Sequence, residues 1–109
     1  MNFLFICSRN QWRSRTAETI FRHDPRFRVR SAGTAATARI RVNRELIDWA
    51  DLIFVMEDHH KKRLQEVFGS QLKRKELIVL DIPDEYPYMD KELVEELQVA
   101  ISAYFQNRD

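Results

Sequence analysis

Cysteine is nearly missing from this chain: Cys7 is the only thiol. One cysteine cannot form an internal disulfide, so nothing points to an oxidising compartment. Two glycines and three prolines are too few, and too scattered, for a linker. No repeat or low-complexity segment interrupts the chain. No apolar stretch approaches the roughly 20 residues of a membrane span. The start lacks a basic region and a small-residue cleavage site, so no signal peptide is expected. Lysine is missing from the first half. Residues 1–55 carry ten Arg and no Lys against five acids, which makes that half +5; residues 56–109 are −4, giving +1 in all. An anionic ligand would be drawn to the arginine-rich half, which also holds the thiol. The 109 residues suit one domain, 1–109, with 44% hydrophobic residues for its core. The expected location is the cytoplasm.

Apolar runs alternate with helical patterns. Phe3–Ile6 is a continuous apolar run, as in a strand covered on both faces. Ala17, Ile20 and Phe21 then recur at helical spacing, which predicts a helix from Arg13 to about His23, closed by Pro25. Phe27 to Arg30 alternates like an edge strand, and Gly33 is expected as a turn. Asn43 can cap a short helix through about Ala50. Leu52–Met56 is a second apolar strand. Asp58 can cap a helix through Leu64, Val67 and Phe68, with Gly69 as its stop. Leu77–Leu80 is a third apolar strand. After a loop with Pro83 and Pro87, Asp90 opens a last helix with Leu93, Leu97 and Ile101 on one face. Such alternation builds a parallel sheet with helices on both sides, and its ligands bind beyond the carboxyl ends of the strands. Cys7, Gly33, Glu57 and Asp81 would share that rim.

The stretch from Cys7 to Ser14 has the pattern Cys-x5-Arg-Ser between a buried strand and a helix. Successive N–H groups in such a loop make an anion nest, and the helix start adds positive potential. That field favours a thiolate. Ser14 can donate a hydrogen bond to it, and Arg13 offers a planar fork matching two phosphate oxygens. A phosphate monoester could then sit with phosphorus before the sulfur. A leaving oxygen needs a proton, so an acid should lie at the same rim. Asp81, Asp84 and Asp90 are candidates. Asp84 lies in a proline-stiffened loop near Tyr86 and Tyr88, whereas Asp90 also suits a helix cap. Glu57, Asp58, His59 and His60 read as a helix start with exposed histidines. Adjacent histidines are poorly spaced for a metal on one helix face.

"CSRNQWRSRTAETIFR" resembles the phosphate loop and first helix of the low-molecular-weight protein tyrosine phosphatases, which typically read C-x-x-N-x-C-R-S-P-x-A-E. Cys7, Asn10, Arg13, Ser14, Ala17 and Glu18 match. "SAGT" at Ser31–Thr34 is similar to the second-strand signature, "WADLIFVMEDHHKKRL" to the next strand and helix, and "IPDEY" to the general-acid loop V-P-D-P-Y-Y. Strand–helix alternation and this resemblance together give an α/β three-layer sandwich: a four-stranded parallel sheet, order 2-1-3-4, flanked by helices. The resemblance implies that Cys7 attacks phosphorus to form a cysteinyl-phosphate. Arg13 and the amides of Ser8, Arg9, Asn10, Gln11, Trp12 and Arg13 would hold the oxygens. Asp84 would protonate the leaving group and then activate water. Asn10 would brace the loop, Ser14 would stabilise the thiolate, and Tyr86 would line the pocket mouth. No cofactor or metal is implied.

The chain departs from the family pattern. It is shorter after SAGT, and a histidine that often helps hold the loop asparagine is replaced by Ala36 or Thr37. Arg9 replaces a small residue, Trp12 the loop's second cysteine, and Arg15 a proline. Three functions stay open: a protein tyrosine phosphatase, a phosphatase for a small-molecule or nucleic-acid phosphate, and a phosphate-binding module without turnover. An arsenate reductase shares the fold but needs further cysteines. The expected partner is a phosphorylated protein or another phosphomonoester. Nucleic acid is allowed but not favoured, no membrane is involved, and the oligomeric state is left open. An oxidised Cys7 has no thiol in the chain with which to form a protective disulfide. Peroxide should therefore carry Cys7 toward irreversible acids. Activity measured after peroxide and then excess dithiothreitol should stay low, and full recovery would contradict this.

Overall fold

The computed structural model describes residues 1–107. Its elements are β1 (Asn2–Cys7), α1 (Arg13–Phe21), β2 (Arg28–Gly33), α2 (Arg44–Trp49), β3 (Leu52–Val55), α3 (Asp58–Leu72), β4 (Glu76–Val79) and α4 (Lys91–Gln106). All strand pairs are parallel, in the order β2-β1-β3-β4. This is the sheet expected from the sequence.

Period-two alternation sorts the core into two layers. Phe3, Phe5 and Cys7 of β1 join Leu52 and Phe54 of β3 on the face covered by α1 and α4. Leu4 and Ile6 join Ile53 and Val55 on the other face, against Leu46 and Ile47 of α2 and Leu64 of α3. Both central strands are therefore apolar and buried throughout, β1 from Phe3 onward and β3 along its whole length. Each fully buried Phe or Leu side chain contributes roughly 1.5–3 kcal/mol. Ring stacking adds shape: Phe3 lies 4.1 Å from Phe27 and Phe5 lies 5.0 Å from Phe54, centroid to centroid. None of the described helices is long and apolar enough to cross a membrane.

Three local expectations are corrected. The N-cap of α3 is Glu57 rather than Asp58, which is the first helical residue. The helix does not stop at Gly69. It kinks at Phe68, whose φ of −123° and ψ of 23° are not helical, and resumes to Leu72. The last turn lays Phe68 and Leu72 against the second core layer, and that burial outweighs the glycine signal. Gly33 is the last residue of β2, paired with Cys7, rather than a turn.

The reason for glycine at position 33 is close approach. A Cβ there would stand 2.4 Å from the Ser8 carbonyl oxygen and 2.7 Å from the Ala38 Cβ. Neither neighbour is the far end of a flexible side chain. Gly33→Ala should destabilise the protein by about 1–3 kcal/mol through overpacking. Urea unfolding would show it, and an unchanged midpoint would mean that the loop after Cys7 yields freely.

Candidate active site

The sheet ends β1 at Cys7, and α1 begins at Arg13, so Ser8 to Trp12 form a tight loop above the carboxyl rim. Asn10 turns the chain with φ at +57°, in the left-handed region that Asn tolerates better than most residues. The carbonyl of Cys7 accepts from Thr34 N–H at 3.0 Å, and that of Ser8 from Ala35 N–H at 2.9 Å. Among the described residues, no protein acceptor takes the backbone N–H of any residue from Ser8 to Arg13. The loop thus spends its carbonyls on the fold and keeps its amide donors.

The sulfur sits in a hydrogen-bond chain whose direction is fixed by counting protons. The Asn10 Nδ2 donates to Ser14 Oγ at 2.7 Å and to Ser31 Oγ at 2.9 Å. Each serine must then donate its own proton elsewhere. Ser31 gives it to Glu18. Ser14 Oγ lies 2.9 Å from Cys7 Sγ and 3.3 Å from the Ala32 carbonyl. The sulfur is the nearer acceptor, so Asn10 turns Ser14 into a donor toward Cys7. Asn10, Ser14 and Ser31 are all buried.

Arg13 is buried and anchored on one side only. Its Nη1 donates to Glu57 and, at 2.9 Å, to the Ile82 carbonyl. Its Nε stands 3.7 Å from Asp84 Oδ1, beyond hydrogen-bond range. The edge formed by Nε and Nη2 has no hydrogen-bond acceptor among the described residues, and that edge is a two-pronged donor. Burial alone would raise the Glu57 carboxyl. The hydrogen bond and charge of Arg13 outweigh it, with help from His59, and hold it below the usual carboxylate value.

Sequence reasoning took both histidines as exposed. His59 is exposed, but His60 is fully buried, because it caps α3 from within. Its Nδ1 accepts from Glu57 N–H at 3.0 Å, so the neutral ring carries its proton on Nε2, which donates to Ser8 Oγ at 2.9 Å. His60 thereby ties α3 to the loop that follows Cys7. Glu57, His59 and His60 bring ligand atoms within 4.8 Å of one another. Both His60 nitrogens are occupied and Glu57 is engaged by Arg13, so this set offers an ion little.

Of the three candidate acids, only Asp84 lines the cavity that holds Cys7. That cavity is about 480 Å³, lined by Cys7, Ser8, Arg9, Gln11, Trp12, Arg13 and Asp84. Asp90 caps α4, accepting from Glu92 and Leu93 N–H, and Asp81 stands exposed. The acid loop is tied back to α1: Met89 N–H donates to Thr16 Oγ1 at 2.9 Å, and Tyr88 OH meets Thr19 Oγ1 at 2.8 Å. Tyr86 was expected at the pocket mouth. It is not among the cavity residues but packs, half-buried, against the first core layer. Apolar contact draws its ring inward, and Arg9, Gln11 and Trp12 form the wall instead. The roles of Glu57 and His60 escaped the sequence reading; the only signal was a polar pair directly after an apolar strand.

Burial, reinforced by the His59 and Arg13 charges, lowers His60 to about 4 from its ordinary 6.5, despite Glu57. The unfolded chain takes up this proton near pH 6.5 and the folded one only near 4. Stability from this group is therefore complete above pH 6.5 and falls as the pH drops toward 4. Urea unfolding across that window should show a shallower acid slope for His60→Asn than for the wild type. Parallel slopes would contradict the assignment.

No protein-family model matches the chain, and no curated protein matches it. Solved structures do. A YwlE mutant from Bacillus subtilis is 25% identical, with 95% of this chain and 99% of that chain covered and a TM-score of 0.69. The YwlE arginine phosphatase, in a variant with a phosphorylated active-site serine, is 22% identical over 99% and 98% of the two chains, with a TM-score of 0.73. The tyrosine phosphatase Wzb from Escherichia coli K30, in complex with phosphate, is 21% identical over 99% and 98%, with a TM-score of 0.77. Low-molecular-weight protein tyrosine phosphatases recur among such matches, and the chain has their fold.

Proposed function

We propose that this protein is a cysteine-dependent phosphomonoesterase, acting in the cytoplasm as a protein tyrosine phosphatase. One observation carries this reading. The unpartnered amides from Ser8 to Arg13 and the open Nε–Nη2 edge of Arg13 surround a cavity that also holds Cys7 and Asp84. Such a donor set matches the equatorial oxygens of a phosphoryl group in transfer.

The Cys7 thiolate attacks phosphorus as the bond to the leaving oxygen breaks, and Asp84 gives that oxygen a proton. The Asp84 carboxylate then takes a proton from water, which attacks phosphorus and releases the sulfur. Ser14 donates to the sulfur before attack and again as it leaves. Asp84 is 59% exposed on its side chain, so it can exchange its proton with solvent between turnovers.

A second reading, a phosphatase for a small-molecule or nucleic-acid phosphate, is favoured by the cavity wall. Arg9 and Trp12 are exposed there, and their side chains have no hydrogen bond or ion pair among the described residues. A guanidinium and a flat indole suit an anionic or aromatic substrate. The same Arg9 charge would oppose the cationic guanidinium of a phosphoarginine substrate.

Phosphate release from p-nitrophenyl phosphate, phosphotyrosine and phosphoserine peptides, phosphoarginine and nucleotides should be ranked with three proteins. Cys7→Ser should abolish turnover. Asp84→Asn should lower kcat by about 10²-fold or more on substrates with poor leaving groups. A nucleotide preference would select the second reading. Tight phosphate or vanadate binding with no turnover would select a non-catalytic phosphate-binding module.

A further inference from the structure

The segment after β2 runs along the outside of the phosphate loop and takes its carbonyls one after another. Thr34 N–H reaches Cys7 O at 3.0 Å, Ala35 N–H reaches Ser8 O at 2.9 Å, and Arg39 N–H reaches Arg9 O at 2.9 Å. The fourth carbonyl, of Asn10, is taken by a side chain: Arg39 Nε donates to it at 3.0 Å. In a planar trans peptide the N–H points opposite to its C=O. Pulling four successive carbonyls outward therefore aims the N–H groups of Ser8, Arg9, Asn10 and Gln11 to the other side, toward the anion nest.

The Asn10–Gln11 peptide is the one at risk. Asn10 has φ at +57°, a region where most side chains are strained. It also follows the last carbonyl that main-chain donors of the segment can reach. Arg39 covers this gap with a charged donor. Its Nη2 lies 3.9 Å from Glu18 Oε1, the carboxylate that receives the Ser31 proton, so one guanidinium contacts both the loop and the end of the hydrogen-bond chain leading to Cys7.

We propose that Arg39 is a positioning residue for the phosphate loop, fixing the Asn10–Gln11 peptide so that the Gln11 amide faces the bound phosphoryl group. This rests on the phosphatase reading only in naming that group; the geometric claim concerns any tetrahedral oxyanion. Arg39 is not itself among the residues lining the cavity and meets the loop through the Arg9 and Asn10 carbonyls, so its effect is exerted through the loop backbone.

The test uses the whole chain, with orthovanadate as the probe. Arg39→Met keeps most of the stem but removes the donor, Arg39→Lys restores one, and Arg39→Ala is the deeper truncation. Arg28→Ala, an exposed arginine at the opposite end of β2, controls for lost charge. Vanadate affinity should weaken by about tenfold or more in Arg39→Met, as for loss of a charge-assisted hydrogen bond, and recover in part in Arg39→Lys. The thermal midpoint should move no further than in Arg28→Ala. Unchanged vanadate affinity in a folded Arg39→Met overturns the proposal, and so does an equal loss in Arg28→Ala. If the wild type binds vanadate but releases no phosphate, the phosphatase reading fails while the Arg39 claim is still decided by affinity. A wild type that binds no vanadate overturns both.

Discussion

The reversal of the chain at Asn10 is the constraint on which the site depends. A buried residue at positive φ needs compensation, and Asn10 obtains it from its own amide, whose two hydrogens go to Ser14 and Ser31. Those bonds do more than offset strain. By filling an acceptor position on each serine, they set the direction of both hydroxyl protons, and one of those protons faces the sulfur. Backbone shape and thiol chemistry are thus specified by the same side chain. Removing the Asn10 amide would leave two buried hydroxyls free to point elsewhere, so the damage would extend beyond one lost hydrogen bond.

Electrostatics reinforce this division of labour. Arg13 is a buried cation, and a buried cation must be paired. Glu57 and the Ile82 carbonyl pair it from one side, using Nη1 alone. The opposite edge of the guanidinium is then held toward the cavity without a protein acceptor. A more complete pairing would make a more comfortable buried charge and leave fewer donors facing the cavity.

Much of the fold was legible because it rests on short-range signals. Phe3–Ile6 and Leu52–Met56 are apolar without interruption, as a strand covered on both faces requires, and both are too short for a buried helix. Asn43 and Asp90 cap the helices expected of them. Cys7, Arg13 and Ser14 were legible for a similar reason: a strand, a loop and a helix start place them by local geometry. The misreadings involve contacts between distant segments. His60 looks like a surface residue by its neighbours in sequence, yet it is buried, and Ser8, far away in the chain, gives its Nε2 a partner. Tyr86 sits in a loop with two prolines, and the apolar layer beneath that loop holds its half-buried ring. Gly33 reads as punctuation until the Ser8 carbonyl is found where its side chain would be.

The Arg13–Glu57 pair also joins distant parts of the chain. Its partners are 44 residues apart, on opposite sides of the β1–β3 pairing. Without β3 beside β1 the guanidinium would lack this carboxylate, and a cation without a partner favours hydration over burial. The first turn of α1 is therefore held in part by a contact from the far side of the β1–β3 pairing. One ion pair thus makes the burial of a residue at the start of the first helix depend on a strand end far along the sequence.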